Sequence, residues 1–212
     1  DYFKRIREIC DAYDVLLVSD EVITGFGRTG RMFGLEHWDV QPDLIQFAKA
    51  ITSGYFPLGG IGISDEIAQV MNDSGSPWMH AYTYSSHPVG CAVALAMLDI
   101  IEKEDFVAQA QTKGKRMLVK LKEALGDHPH VGEVRGLGMM CGVELVKDKA
   151  SKQMFDAKDG IGAKVHVETV KRGMFSRVRG DVYCVAPPIV TGENTIDDIA
   201  DILGASVRAV LG

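Results

Sequence analysis

Two short apolar runs, each ending abruptly at a charged side chain, constrain the fold of this chain more than any other feature. Residues 15–18 read Val-Leu-Leu-Val and stop at Ser19-Asp20-Glu21. Residues 44–48 read Leu-Ile-Gln-Phe-Ala and stop at Lys49. Short apolar runs of this kind are expected of strands covered on both faces, as in parallel sheets. In an open parallel sheet, ligands sit outside the carboxyl ends of the strands. Asp20 and Lys49, an acid and an amine, are therefore predicted to face one crevice. Taken alone, the pair could equally be a surface ion pair.

The rest of the chain extends this α/β pattern. Residues 59–63 form a third run, short and glycine-rich, and a helix is predicted over 65–71 before a break at 75–77. Pro88 suits a first helical position. The residues after it, 89–102, are apolar almost all round, which predicts a buried helix. Another helix starts near Asp105, carries Phe106, Ala110, Met117, Leu121 and Leu125 on one stripe, and stops at Gly126. The tail changes character. Alternating residues over 131–146, a helix over about 161–172, a strand over 182–186 and a helix over about 195–210 read as β-α-β-α, a second, smaller α+β domain. The chain opens without Met inside an amphipathic pattern (Tyr2, Phe3, Ile6, Ile9), so a fragment or cut product is expected.

Composition narrows the function classes. With 46% hydrophobic and 25% charged residues the chain is that of a soluble globular protein. Lys and Arg number 23 against 29 Asp and Glu, a net charge of -6, and no basic run is present. A nucleic-acid partner is not expected, because phosphate neutralisation needs a basic face. No apolar stretch approaches the roughly 18 residues of a membrane span. Cys10, Cys91, Cys141 and Cys184 lie far apart and form no C-x-x-C pair, which suits free thiols in a reducing cytoplasm. His128 and His130 flank a proline and read as a polar loop, with no cluster to make a metal site.

An acid and an amine at one crevice suit a particular cofactor chemistry. Pyridoxal phosphate (PLP) acts as an electron sink only while its pyridine nitrogen stays protonated, and a carboxylate stabilises that proton. Its aldehyde needs an amine that can also act as a base. Gly25 to Gly30 spells G-x-G-x-x-G, but a dinucleotide site needs those glycines directly after a strand and opening a helix. Here five residues intervene, and Gly34, Trp38 and Pro42 follow too closely for a crossover helix. A nicotinamide-dependent oxidoreductase is a poor second reading.

The surrounding words are more specific. Asp20-Glu21-Val22, Gly25-Phe26-Gly27-Arg28-Thr29-Gly30, Pro42-Asp43-Leu44, Phe47-Ala48-Lys49, Pro57-Leu58-Gly59-Gly60, Tyr82-Thr83-Tyr84-Ser85 with His87-Pro88, and Ala186-Pro187-Pro188 occur in that order. The set resembles the class III (ω-amino acid and amine:pyruvate) aminotransferases, over the C-terminal half of the family's chain. The resemblance implies a fold type I architecture: part of the large, mainly parallel PLP domain at 1–104, a connecting helix at 105–126, and a small α+β domain at 127–212.

It also implies roles. Lys49 is the Schiff-base and catalytic lysine, and Asp20 is the partner of the pyridine nitrogen. Val22 packs on one ring face, a place equally compatible with an ordinary core valine. Thr83 reaches across a homodimer interface to the cofactor phosphate of the other subunit, with the Tyr82 N–H sharing that contact. The alternative for this segment is an ordinary helix cap by Ser85 or Ser86. Arg177 matches an arginine that pairs with a keto-acid carboxylate, as a guanidinium fork does well, although Arg179 stands two residues on. Ile23, where glutamate-, ornithine- and GABA-type members have Gln, favours the branch using pyruvate and an ω-amino acid or amine. Tyr55-Phe56 suits a substrate pocket or a plain loop aromatic. The alternatives within the family are an aminomutase, racemase or decarboxylase, or an inactive fragment lacking the N-terminal segment, the phosphate-gripping turn and the aromatic on the other ring face.

Overall fold

The apolar runs lie side by side as parallel strands, β1 (Val18–Asp20) and β2 (Leu44–Phe47), in register from Val18 opposite Leu44 to Asp20 opposite Gln46. A third strand, β3 (Gly60–Ile63), pairs with β2 in the antiparallel sense, giving the order β1-β2-β3. The computed structural model describes residues 1–77 and 79–212, which divide into two units, Asp1–Val107 and Ala108–Gly212.

In the first unit β1 is shorter than its apolar run. Pairing begins only where β2 begins, because Leu17 is held by Asp43 instead. Its N–H donates to Asp43 Oδ2 at 2.6 Å, and its carbonyl accepts from the Asp43 and Leu44 N–H groups. Asp43 Oδ2 also accepts from Arg7 of α1 (Tyr2–Ala12) at 2.8 Å, tying that helix to the start of the sheet. Both bonds, the Leu17 one foremost, hold the Asp43 carboxyl below its ordinary pKa. A short helix, α2 (Asp65–Asp73), follows β3 and is capped by Ser64, whose Oγ accepts from the Ile67 N–H.

Packing in this unit centres on the segment that follows β1. Phe26 is buried and meets Phe33 and Phe47 edge to face at 5.5 and 5.7 Å. Leu35, Val40 and Ile51 are buried as well. The expected cover over the apolar runs is not supplied. Val15, Leu16 and Val18 are each more than half exposed. Nor is α3 (Pro88–Lys103) buried all round: Gly90, Ala94 and Ile101 are buried, whereas Val89, Leu95 and Ile100 are exposed. An apolar sequence can be covered only by what packs on it, and on those faces no described residue does.

The second unit is built on an antiparallel sheet of four strands in the order β4-β5-β7-β6. These are β4 (Val131–Leu137), β5 (Met140–Leu145), β6 (Arg177–Arg179) and β7 (Val182–Val185). Three helices accompany it: α4 (Phe106–Leu125), which begins at the end of the first unit, α5 (Ile161–Lys171) and α6 (Glu193–Leu211). The observed order is thus two hairpins, each followed by a helix, rather than the expected β-α-β-α. The alternation over 131–146 folds back at Gly138 into β4 and β5. Arg177-Val178-Arg179, too charged to read as a strand, pairs with β7 through the turn at 180–181. The core between sheet and helices is made by Met117, Leu121, Val143, Val165, Tyr183, Ile196 and Leu203, all fully buried. Tyr183 keeps its hydroxyl satisfied against Thr169 Oγ1 at 2.7 Å, as a buried phenol requires.

Candidate active site

Parallel pairing puts the carboxyl ends of β1 and β2 at the same edge of the sheet. Asp20 is the last residue of β1 and stands opposite Gln46, while Lys49 lies three residues beyond Gln46. Asp20 is exposed. One carboxylate oxygen, Oδ1, accepts the Val22 N–H at 3.1 Å, leaving Oδ2 clear of any bond among the described residues. Lys49 is exposed too, and its amine has no ion-pair or hydrogen-bond partner among the described residues. Its backbone is in the left-handed region (φ 49°), rare for a side chain with a Cβ. Such a conformation persists only where the surroundings over-determine it, and functional sites are where it collects.

The surroundings do over-determine it. Lys49–Ile51 is a single 3-10 turn whose carbonyls bind back: Ile51 N–H to Ala48 O and Thr52 N–H to Lys49 O. Thr52 is buried, and its hydroxyl donates to Phe56 O at 2.6 Å, which closes the loop after the lysine. Phe56 lies against the His87 ring at 5.1 Å, while Tyr55 points to solvent. Through these contacts the turn at Lys49 is fastened to the N-terminal end of α3.

The segment before α3 carries the predicted phosphate contacts. Thr83 is exposed in a turn at 83–86. The Tyr82 N–H donates to Ser85 Oγ at 3.0 Å, so it is engaged within the turn. Neither Ser85 nor Ser86 caps the helix. His87 does, its Nδ1 accepting the Val89 N–H at 3.3 Å. Ser85 is occupied with Tyr82, so the alternative of a Ser85 cap is not realised.

Val22 is half-buried directly after Asp20. The glycine-rich segment from Gly25 turns without opening a helix, as its context predicts. Glu21, for which the sequence reading gave no role, is the most connected residue here. Its side chain is almost wholly buried and accepts four bonds: from Ser19 Oγ (3.1 Å), Leu35 N–H (3.1 Å), Gly34 N–H (2.8 Å) and Thr24 Oγ1. The signal available in sequence was the strand alternation, which sends Ser19 and Glu21 to the face opposite Asp20. A cavity of about 550 Å³ lies beneath this segment, lined by Glu21, Arg31, Leu35 and Ile45. It includes neither Asp20 nor Lys49, which stand at an open surface.

Arg177 lies in the second unit on β6, an edge strand. Ser176 and Val178 turn inward, the Ser176 hydroxyl donating to Cys184 O at 2.5 Å. Arg177 and Arg179 are both exposed on the other face, and neither has an ion-pair partner among the described residues. The choice between them is therefore not made by burial.

The residues present fit PLP. At one edge of the sheet stand an exposed amine with no partner among the described residues and a carboxylate with one oxygen unused, and a hydroxyl-rich turn precedes α3, whose start favours anions. Among the described residues no helix is long and apolar enough to cross a membrane.

Comparison with known proteins shows the family. The family model "Aminotransferase class-III" matches residues 1–207. An uncharacterized aminotransferase, y4uB, of Sinorhizobium fredii is 42% identical over 99% of this chain and 46% of its own length. Putrescine–pyruvate aminotransferase of Pseudomonas aeruginosa is 41% identical over 93% of this chain and 43% of its own length. Among solved structures, a thermostable (S)-enantioselective ω-transaminase from Thermomicrobium roseum is 45% identical, with a TM-score of 0.94 over all of this chain and 47% of its own. The chain spans about half the length of the curated relatives it matches.

Proposed function

Because this chain belongs to the class-III aminotransferases, a PLP-dependent family of fold type I, we propose that the protein carrying it moves an amino group from an ω-amino acid or amine to a keto acid, pyruvate. The observation that carries this reading is the placement of Asp20 and Lys49 at neighbouring carboxyl ends of parallel strands. PLP, when bound, supplies the electron sink that makes the amino donor's Cα–H acidic.

The rest is work for the protein's own groups. Asp20 Oδ2 holds the proton on the pyridine nitrogen, with Oδ1 kept in place by the Val22 N–H. Lys49 Nζ would hold the aldehyde end and, once a donor amine had displaced it, would move a proton between the donor's Cα and the cofactor's aldehyde carbon. The same lysine runs the steps in reverse when the keto acid enters. Val22 packs against the ring. Thr83 binds the phosphate of the partner subunit's cofactor in a homodimer, and the Tyr82 N–H joins it by exchanging its bond to Ser85. Arg177, whose guanidinium has no ion-pair partner among the described residues, receives the acceptor's carboxylate. The pyruvate preference is supported by Ile23 and by the putrescine–pyruvate aminotransferase among the relatives. We place the protein in the cytoplasm on the strength of its four unpaired cysteines.

The test is amine-dependent formation of alanine from pyruvate by the protein that carries this chain. Lys49→Ala is expected to lower it by at least about a thousandfold, as losing a proton-transferring group does. Lys49→Ala turnover near wild type would overturn the assignment. Racemised donor without alanine would point instead to another PLP activity.

A further inference from the structure

We infer that Glu21 is a positioning residue for Asp20, setting the orientation of the carboxylate that faces the pyridine nitrogen. This rests on the role proposed for Asp20.

The argument begins with where the two acids point. They are consecutive at the end of β1, so their side chains leave opposite faces. Asp20 turns to the open surface, and Glu21 turns inward and is 2% exposed. A buried carboxylate is tolerated only when its oxygens are bonded. Glu21 meets that condition with donors alone: Ser19 Oγ and Leu35 N–H on Oε1, Thr24 Oγ1 and Gly34 N–H on Oε2. One donor comes from the strand, at 19, one from the start of the loop, at 24, and two from its far side, at 34 and 35. The carboxylate thus clamps the loop to the strand.

What lies between the clamped points is the Asp20 contact. Asp20 Oδ1 accepts from Val22 N–H, and Val22 sits between Glu21 and Thr24, both ends of a clamp bond. The backbone of residue 21 is itself fixed from the sheet, its N–H donating to Gln46 O at 2.9 Å. Val22 is therefore held between residue 21, fixed to the sheet, and Thr24, bonded to the Glu21 carboxylate. The fit is close: a Cβ at Gly34 would come within 3.1 Å of Glu21 Oε2 and of Thr24 Cβ, so a side chain there would press on the carboxylate. Nothing in the proposed chemistry needs Glu21 to touch cofactor or substrate.

The inference is tested in the protein carrying this chain with Glu21→Gln, Asp20→Asn and the double variant. Three quantities are read at a temperature where circular dichroism shows each folded: PLP affinity of the apoprotein, the absorption band of bound PLP with its pH titration, and kcat at saturating PLP. An amide at 21 offers a donor to donors and disturbs the clamp. Glu21→Gln is expected to weaken PLP binding, displace the pH at which the band titrates, and lower kcat at least about tenfold, as a small misplacement at a reacting centre does. On an Asp20→Asn background it should add little, because both changes act through one carboxylate.

A Glu21→Gln protein with unchanged band, titration and kcat, even if it melts earlier, would overturn the inference while leaving Asp20 in place. So would a full, additive loss on top of Asp20→Asn. An Asp20→Asn protein that is itself unchanged would overturn the Asp20 role first. Should Glu21→Gln not fold, Thr24→Ala, which removes one of the four donors, must move the band in the same direction. An unmoved band in that variant decides against positioning.

Discussion

Lys49 is a side chain in a backbone conformation that suits glycine, and this has a measurable consequence. The left-handed region costs a residue with a Cβ roughly 1–2 kcal/mol, and glycine occupies it freely. Removing the amine by Lys49→Gly and by Lys49→Ala should therefore give two inactive proteins of different stability. Lys49→Gly is expected to resist urea more than Lys49→Ala, by about 1 kcal/mol, in equilibrium unfolding. Equal midpoints would mean that the turn relaxes when the side chain is gone. The placement of Asp20 and Lys49 at one edge of the sheet was legible because each ends an apolar run, a pattern one strand long. Glu21 was not legible, because its partners Gly34 and Leu35 lie thirteen and fourteen residues away and only folding brings them near. Thr52 was hidden for another reason: a hydroxyl that donates to a carbonyl four residues on leaves no pattern in composition.

Among the elements, the boundaries of the helices came through well and the partners of their ends did not. Pro88 marked the start of α3 correctly, but the cap is His87, since Ser85 serves the Tyr82 N–H. The second unit shows the opposite failure. Its β6 was unread because Arg-Val-Arg lacks an apolar run, although an edge strand with one exposed face needs only Val178 inward. The start of α3 also carries a packing constraint. A Cβ on Gly90 would lie 2.8 Å from the Phe56 ring, which itself rests on His87. Gly90→Ala is expected to cost about 1–3 kcal/mol as an overpacked contact, despite alanine's better helix propensity. Trimming the opposing ring should relieve that clash. The loss caused by Gly90→Ala, followed by chemical denaturation, should be smaller in a Phe56→Ala background than in the parent. Equal losses in both backgrounds would place the cost elsewhere than at the ring.

At the scale of the whole molecule, the sequence read covered strands and an all-round buried helix where the structure leaves Val15, Leu16 and Leu95 open. An apolar run reports that something is suited to cover it and says nothing of what does so. What holds the first unit at its open end is instead polar. Asp43 accepts from Leu17 N–H and Arg7, so α1 and the beginning of both parallel strands converge on one carboxylate. Those bonds lower its pKa in the folded chain, and the sign of the consequence follows from linkage. The unfolded chain, with the ordinary value of about 3.9, takes up the proton more readily than the folded one, so stability rises with pH across the interval between the two values. The contribution is fully present above the unfolded value and is lost as pH falls through the folded one. Asp43→Asn should thus be less stable than the parent at neutral pH. It should also lose less further stability on acidification below about pH 4, so the two curves of unfolding free energy against pH converge. Urea unfolding of both proteins between neutral pH and the acid limb measures this directly. Parallel curves would show that Arg7 and Leu17 stabilise the neutral side chain as well as the carboxylate, and that the anchor of α1 is not electrostatic.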